Sequence, residues 1–143
     1  MAVKGAQEMW DCKIGYYQCA SLPGRGQVYG KNMIEKWIRS PKTRDKCIYV
    51  VKGDIKKCYP SVSIPIIKKL LKKDIKNNDL LYLIFTLIDS FDRGLSIGSY
   101  LSQYLCNYYL SYAYSYMDNE LRRYYSFKLF YMDDFIMIGE NKE

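Results

Sequence analysis

Two short apolar segments near the end of the chain flank a pair of acidic residues. Residues 126–131 and 135–139 are rich in Phe, Ile and Tyr, which is typical of β-strands. Met132, Asp133 and Asp134 stand between them, so the pattern predicts a β-hairpin with this tripeptide at its turn. An ordinary turn would account for an isolated pair of aspartates, because aspartate is a common turn former.

A second acidic position follows an earlier apolar segment. The β-branched and aromatic residues over 47–53 predict a buried strand, and Asp54 comes directly after it. Asp54, Asp133 and Asp134 could therefore meet, although periodicity does not show which strands are neighbours. Two carboxylates about 4 Å apart repel by roughly 4 kcal/mol at an effective dielectric near 20, so such a cluster needs a cation or a shared proton. Oxygen ligands without imidazole suit Mg²⁺ or Mn²⁺.

Helical spacing of apolar residues predicts most of the remaining elements. The predicted helices cover residues 6–11, 28–38, 63–75, 80–91 and 99–123. Ser63 stands at the N-cap of the third, with Pro65 in its first turn, and its outer face carries a row of lysines that we expect to be solvated. The fourth is expected to be largely buried. The rest of residues 1–21 is expected to be irregular.

Composition narrows the class of protein. A length of 143 residues suggests one domain, and 49% hydrophobic with 26% charged residues is a globular balance. The net charge of +7 favours a polyanionic partner without choosing between nucleic acid and a membrane surface. The longest apolar segment is too short to span a bilayer, and the first residues carry no secretory signal. Most of the sixteen tyrosines are expected to pack in the core.

Cysteine usage gives little support to a zinc or redox centre. The five cysteines form no pair with metal-ligand spacing, and the chain contains no histidine. An odd number of cysteines agrees with a reducing compartment. We therefore expect free thiols.

Three motifs in order resemble the palm of a reverse transcriptase. The last is Tyr131-Met132-Asp133-Asp134, and the first begins at the metal-binding position Asp54 with an aromatic residue, Tyr59, five positions later. Between them the family has a loop with the pattern Gln-Gly-x-x-x-Ser-Pro, where this chain has Ile97-Gly98 and Ser102-Gln103. That departure resembles the reverse transcriptases of diversity-generating retroelements, which copy an RNA template with frequent errors at adenines.

The resemblance implies a set of site residues. It makes Asp54, Asp133 and Asp134 catalytic, holding two Mg²⁺ ions, or Mn²⁺ in their place, with help from the Ile55 carbonyl. The nucleotide-binding residues would be Tyr59 as a steric gate against ribonucleotides, Ile97 and Gly98. The template- and primer-binding residues would be Arg25, Ser102, Gln103, Tyr131 and Met132. For Arg25 the alternative is an ordinary Gly-rich loop, because Gly-x-Gly alone is weak evidence of phosphate binding.

The resemblance also implies an architecture. The fold would be α+β, a polymerase palm with a small antiparallel sheet backed by helices. Residues 1–46 would be partial fingers, and residues 47–143 a palm that is truncated after the hairpin and lacks a thumb. The chain would then be a fragment of a longer protein, or half of a split one, with weak activity or none on its own.

The resemblance further implies the reaction and its partners. The reaction would be RNA-directed DNA polymerisation, with an RNA template, a DNA or RNA primer and dNTP as partners. An accessory protein of the retroelement is a further candidate partner, and no membrane is involved. The location would be the cytoplasm of a bacterium, or of the host of a phage. The alternatives are a retron-like, group II intron-like or phage-defence reverse transcriptase, and a non-catalytic palm that binds nucleic acid.

Overall fold

The computed structural model describes residues 1–141 as an α+β chain with a mixed four-stranded sheet. The helices are α1 Ala2–Gly5, α2 Gln7–Lys13, α3 Gln27–Arg39, α4 Cys58–Ser61, α5 Ile64–Asp74, α6 Asn78–Asp89 and α7 Tyr100–Glu120. The strands are β1 Gln18–Cys19, β2 Tyr49–Asp54, β3 Phe127–Tyr131 and β4 Asp134–Gly139. Short 3₁₀ turns cover Arg44–Lys46 and Arg122–Tyr124. The predicted α+β class is confirmed, and all five predicted helices are present within a few residues of their expected bounds, as α2, α3, α5, α6 and α7.

Internal contacts divide the chain into two compact units, where its length had suggested one domain. The first unit contains Met1–Ile14 and Lys56–Ser111, and the second contains Gly15–Ile55 and the chain from Tyr112 onward. Each unit is therefore built from segments that are distant in the sequence. The division into fingers and palm at residues 46 and 47 stays a prediction.

The core of the first unit is built around Trp10. Its ring lies 5.8 Å from that of Tyr104 and 5.6 Å from that of Tyr108, and its Nε1–H donates to the Val3 carbonyl at 3.0 Å. Tyr108 in turn donates to the Asp74 carboxylate at 2.7 Å. These contacts pack α1, α2 and α5 of this unit against the first part of α7. The apolar side chains buried with them are Ile67, Leu71, Ile84, Ile88, Leu95 and Leu105.

Two details of the helices in this unit differ from expectation. The fourth predicted helix is α6, and it is not largely buried: only Ile84 and Ile88 are buried, while Tyr82 is 77% exposed. The reason is that α6 packs along one stripe against α1 and α5, and no part of residues 1–141 covers its outer side. Ser63 does occupy the N-cap of α5, but its hydroxyl makes no capping hydrogen bond. The predicted lysine row on α5 is solvent-facing, as expected.

The sheet of the second unit has the strand order β1-β3-β4-β2. The hairpin strands β3 and β4 are antiparallel, β2 pairs antiparallel with β4, and β1 pairs parallel with β3. Helix α3 covers one face through a core of Cys19, Trp37, Leu129 and Ile138. On the other face Tyr114, from the end of α7, packs its ring 5.6 Å from Phe130. The predicted hairpin is confirmed. The sheet, expected to be antiparallel, is mixed, because the short strand β1, in a segment expected to be irregular, pairs parallel with β3.

The strand expected to be buried is an exposed edge strand. The predicted segment 47–53 forms β2, but Tyr49, Val50 and Val51 are 43%, 59% and 55% exposed. The reason is its place in the strand order, since β2 has a neighbour on one side only and its first residues face no helix within residues 1–141. A β-branched composition favours a strand but does not distinguish an edge from a centre.

The tyrosines are less buried than their number suggested. Only Tyr104, Tyr108 and Tyr114 are buried, and seven of the sixteen are exposed. The expectation that most of them form the core is therefore wrong, because many use the ring as a half-covered packing surface with the hydroxyl in water.

Within residues 1–141, no helix combines the length and the apolar character that crossing a membrane requires.

Candidate metal centre at the end of the sheet

The hairpin turn holds its first residue in a strained conformation. Strands β3 and β4 leave a two-residue loop, Met132-Asp133, and Met132 has φ of +56°. A positive φ at the first loop position alone is the sign pattern of a type II′ turn, where glycine is the usual residue. The cost for another residue is about 1–3 kcal/mol. Burial of the Met132 side chain and a long hydrogen bond from its N–H to the Cys19 carbonyl, 3.4 Å, hold the turn in place.

The register of the sheet places Asp54 directly opposite Asp134. Asp134 is also opposite Tyr131 on β3, the other neighbour of β4. The side chains of Asp54, Asp134 and Tyr131 therefore form one row across the three strands, on one face of the sheet. One step further, the Ile55 N–H donates to the Asp133 carbonyl at 3.0 Å. Hydrogen-bonded and non-bonded pairs alternate along an antiparallel ladder, so Asp54 and Asp134 form a non-bonded pair, in which side chains lie closest.

Lys52 lies on the same face of the sheet, opposite Ile136, and no role for it was predicted from the sequence. Its Nζ lies 3.2 Å from Oδ1 of Asp134. The signal available in the sequence was its position two residues before Asp54, because residues i and i+2 of a strand share a face. Both side chains are about half exposed, so the ion pair adds little to stability. It does supply the positive charge that two adjacent carboxylates require.

The donor set fits a hard divalent cation. Asp54 is exposed and Asp133 and Asp134 are partly exposed, so all three carboxylates are reachable from solvent and offer only oxygen ligands. Within residues 1–141, however, no three acidic, histidine or cysteine side chains lie close enough to form a preassembled metal site. The structure thus brings two of the three predicted residues together by register, while the convergence of all three stays a prediction.

Gly53 lets an aromatic ring close the opposite face of the sheet. Gly53 pairs with Phe135 across β2 and β4, and a Cβ on Gly53 would stand 2.5 Å from Cε1 of Phe135. Phe135 is stacked on Phe130 at 5.5 Å with an interplanar angle of 23°. The two rings and the glycine therefore fix the strand ends immediately before Asp54 and after Asp134.

A cleft of about 450 Å³ opens between α3 and the face that carries the carboxylates. Lys52, Tyr131 and Asp134 line it from the sheet, and Lys31 and Glu35 line it from the helix. Tyr131 is 39% exposed and borders this cleft. Its predicted role in template binding requires an accessible side chain. Met132, by contrast, is buried, so its side chain is placed to hold the turn.

Arg25 is engaged within the second unit. Its Nη1 donates to the Gly15 carbonyl at 2.8 Å, and its guanidinium lies 5.9 Å from the centre of the Tyr16 ring. The Arg25 backbone carbonyl also accepts from the Ala20 N–H at 2.8 Å. Arg25 therefore organises its own loop, and its contact with template or nucleotide stays a prediction.

Tyr59 lies in the first unit on the short helix α4. The Leu95 N–H donates to the Tyr59 carbonyl at 3.0 Å. Gly94 has φ of +64°, and a Cβ there would stand 2.6 Å from the same oxygen, so glycine is required for this close approach. The loop that ends in the predicted nucleotide-binding residues is thereby attached to the turn that carries Tyr59.

The loop residues themselves differ in accessibility. Ile97 is 79% exposed, and Gly98 has φ of +89° with open space around its Cα. Gln103 is partly buried, but Ser102 is completely buried, and its Oγ has no hydrogen-bond partner among the described residues. The burial of Ser102 does not support its predicted contact with template, whereas Ile97, Gly98 and Gln103 remain reachable.

A buried charge in the second unit was not predicted from the sequence. Lys128, 3% exposed, pairs with Asp118 at 2.7 Å, donates to the Tyr114 carbonyl and lies 3.5 Å from the centre of the Tyr114 ring. Burial lowers the pKa of Lys128, and Asp118 opposes that shift. Tyr125 donates to Asp118 at 3.0 Å, so the carboxylate has two partners. This cluster connects the end of α7 to β3. No pattern in the sequence indicated it.

Two comparisons with known proteins found no match for this chain. No protein-family model matches it, and no curated protein matches it either. The geometry of the chain's own residues therefore carries the functional argument.

Proposed function

We propose that this chain is the palm portion of an RNA-directed DNA polymerase, with Asp54, Asp133 and Asp134 as the metal-binding carboxylates. The observation that carries the proposal is the cross-strand pairing of Asp54 with Asp134 at one end of the sheet. These residues are distant in the sequence, and two carboxylates in adjacent positions are unfavourable unless a cation neutralises them. A role in metal binding gives a reason for that arrangement.

The chemistry of the donor set supports nucleotidyl transfer. When bound, a pair of Mg²⁺ ions would lower the pKa of the attacking hydroxyl and neutralise the phosphates in an in-line displacement. The residues of this chain would hold and orient these groups: Asp54 from β2, Asp133 and Asp134 from the hairpin, and Ile55 through its carbonyl. The cleft beside Asp134 leaves room for a substrate next to the carboxylates.

The architecture of the second unit is compatible with a palm. Its antiparallel strands β2, β4 and β3 present the acidic row at one end, and helices cover parts of both faces. Under this proposal Tyr59 is the steric gate, and Ile97 and Gly98 contact the incoming nucleotide. The exposure of Ile97 and the open space at Gly98 support that role.

The subclass we propose is the error-prone, diversity-generating type. Its support is the pair of residues Ile97 and Gln103, which stand where most reverse transcriptases have glutamine and proline. Isoleucine cannot donate a hydrogen bond at that position, and glutamine keeps a backbone N–H that proline lacks. Retron-like, group II intron-like and phage-defence enzymes are the alternatives within the class.

A second candidate is a palm that binds nucleic acid without catalysing polymerisation. The observation that favours it is the absence, within residues 1–141, of three carboxylates close enough to hold a metal. The ion pair between Lys52 and Asp134 also favours this candidate, because the Lys52 ammonium group already offsets the charge of Asp134. In this reading the basic residues would bind phosphates, with an affinity that falls steeply as salt increases.

Primer extension on an RNA template tests the proposal. The natural gene product that contains this chain should extend a DNA primer in the presence of Mg²⁺, and Asp133→Asn should abolish extension while circular dichroism stays unchanged. Asp45→Asn is the matched control, since Asp45 is an exposed aspartate on a 3₁₀ turn and should have no effect.

Two outcomes would count against catalysis. Extension at the wild-type rate by Asp133→Asn would remove the assignment of the carboxylates. No extension by the wild type, together with salt-sensitive RNA binding that Asp133→Asn leaves intact, would favour the non-catalytic palm.

A further inference from the structure

Two buried cysteines of the first unit lie side by side. The Sγ atoms of Cys58 and Cys106 are 3.2 Å apart, although the residues are separated by 48 positions in the sequence. Cys58 is 5% exposed and Cys106 is completely buried. A disulfide bond is about 2.05 Å long, so the sulfur atoms need to approach by only about 1 Å to form one.

Backbone contacts next to Cys58 fix the turn on which it lies. Cys58 begins the four-residue helix α4, and the preceding residue, Lys57, has φ of +53°. The carbonyl of the next residue, Tyr59, is fixed by the Leu95 N–H at 3.0 Å. Cys106 lies on α7, where its neighbour Leu105 is also completely buried. The contact therefore joins a short turn to a long helix of the same unit.

We propose that Cys58 and Cys106 are a site of reversible oxidative modification, at which a small-molecule disulfide such as oxidised glutathione converts the two thiols into one disulfide. Cys58 reacts first because it is the more exposed of the two. Its thiolate attacks one sulfur of the oxidant, the S–S bond of the oxidant breaks, and one small thiolate leaves.

The second step closes the protein disulfide. The Cys106 thiolate attacks the Cys58 sulfur of the mixed disulfide, and the second small thiolate leaves. In total two electrons pass from the protein to the oxidant, and the two protons released by the cysteines protonate the two small thiolates. A reducing dithiol reverses the same steps.

Oxidation has a functional consequence that rests on the proposed function. Cys58 directly precedes Tyr59, the proposed steric gate, so the disulfide would tie the turn that carries Tyr59 to α7. We expect the oxidised enzyme to extend primers several-fold more slowly than the reduced enzyme, because the turn can no longer adjust to an incoming nucleotide.

Thiol counting and peptide mapping test the site without reference to activity. The whole chain is incubated with oxidised glutathione, the remaining thiols are alkylated under denaturing conditions, and non-reduced peptides are identified by mass spectrometry. A peptide in which Cys58 is joined to Cys106 is expected, and dithiothreitol should restore both thiols.

Variants separate this pair from the other cysteines. Cys12→Ser should leave the cross-link unchanged, because Cys12 is exposed and distant in the sequence from both partners. Cys58→Ser should prevent the cross-link. Cys106→Ser should prevent it as well, and Cys106→Ala replaces that variant if Cys106→Ser does not fold. Wild-type protein that carries only mixed disulfides, or that retains both thiols under conditions in which Cys12 reacts, would overturn the proposal.

An activity assay distinguishes failure of the site from failure of the proposed function. If the cross-link forms and neither the oxidised nor the reduced natural gene product extends a primer, the modification site stands and the polymerase assignment fails. If the reduced protein extends primers and no cross-link forms, the polymerase assignment stands and the modification site fails.

Discussion

Lys52 Nζ lies 3.2 Å from Oδ1 of Asp134, on the same face of the sheet as Asp54. A lysine that precedes one proposed metal ligand by two residues therefore pairs with another. The ammonium group offsets the charge of Asp134, and under the proposed function it would compete with a divalent ion for that carboxylate.

We expect Lys52→Met to tighten the binding of Mn²⁺, measured by calorimetry or electron paramagnetic resonance. Exposed ion pairs contribute roughly 0.2–1 kcal/mol, which corresponds to an increase in affinity of up to about fivefold. Lys36→Met is the control, because Lys36 is an exposed lysine on α3 without an ion pair to these carboxylates. Unchanged or weaker binding by Lys52→Met would show that Lys52 does not compete with the metal.

Gly53→Ala should lower the free energy of unfolding by about 1–3 kcal/mol, because the new methyl group would overlap the Phe135 ring. Urea denaturation measures the change. Gly26→Ala is the control, since nothing lies within 4 Å of a Cβ at that position and its φ of −84° suits alanine. On a Phe135→Leu background the cost of Gly53→Ala should be smaller, and equal costs on both backgrounds would contradict the proposed overlap.

Stability should fall at alkaline pH. Burial, followed by the hydrogen bond with Tyr100 and the charges of Tyr100 and Asp11, raises the pKa of Tyr104 from 10.0 to about 12. The folded state thus holds this proton more tightly than the unfolded state, so the free energy of unfolding decreases as pH rises from about 10 towards 12. Tyr104→Phe should reduce that decrease in urea denaturation, while Tyr82→Phe, which changes a 77% exposed ring, should not. Equal slopes for wild type and Tyr104→Phe would rule out this contribution.

Under the proposed function, Ile97→Gln should lower misincorporation opposite template adenines more than opposite other bases. The restored amide can donate a hydrogen bond worth about 1 kcal/mol, which is several-fold in discrimination. Sequencing of cDNA from the natural gene product measures the error spectrum. Ile66→Gln is the matched control, as Ile66 is an exposed isoleucine on α5. A spectrum identical to wild type would remove the error-prone interpretation and leave the polymerase assignment.

Local elements of this protein could be predicted from its sequence. Apolar spacing predicted α2, α3, α5, α6 and α7, and the apolar segments on either side of the two aspartates predicted the hairpin. These patterns work because a helix or a hairpin depends on residues that are close in the chain. The two-residue strand β1 escaped prediction, since it is too short for a pattern and exists only because it pairs with β3.

The sequence by itself determined which residues can be ligands, where the longer helices lie and where the hairpin forms. Only the tertiary structure decided that Asp54 is opposite Asp134, that Lys52 reaches Asp134, and that Cys58 meets Cys106. It also decided that β2 is an exposed edge. The physical reason is that residue type and spacing set local conformation, whereas register and edge position depend on which distant segments pair, and local periodicity carries no record of that choice.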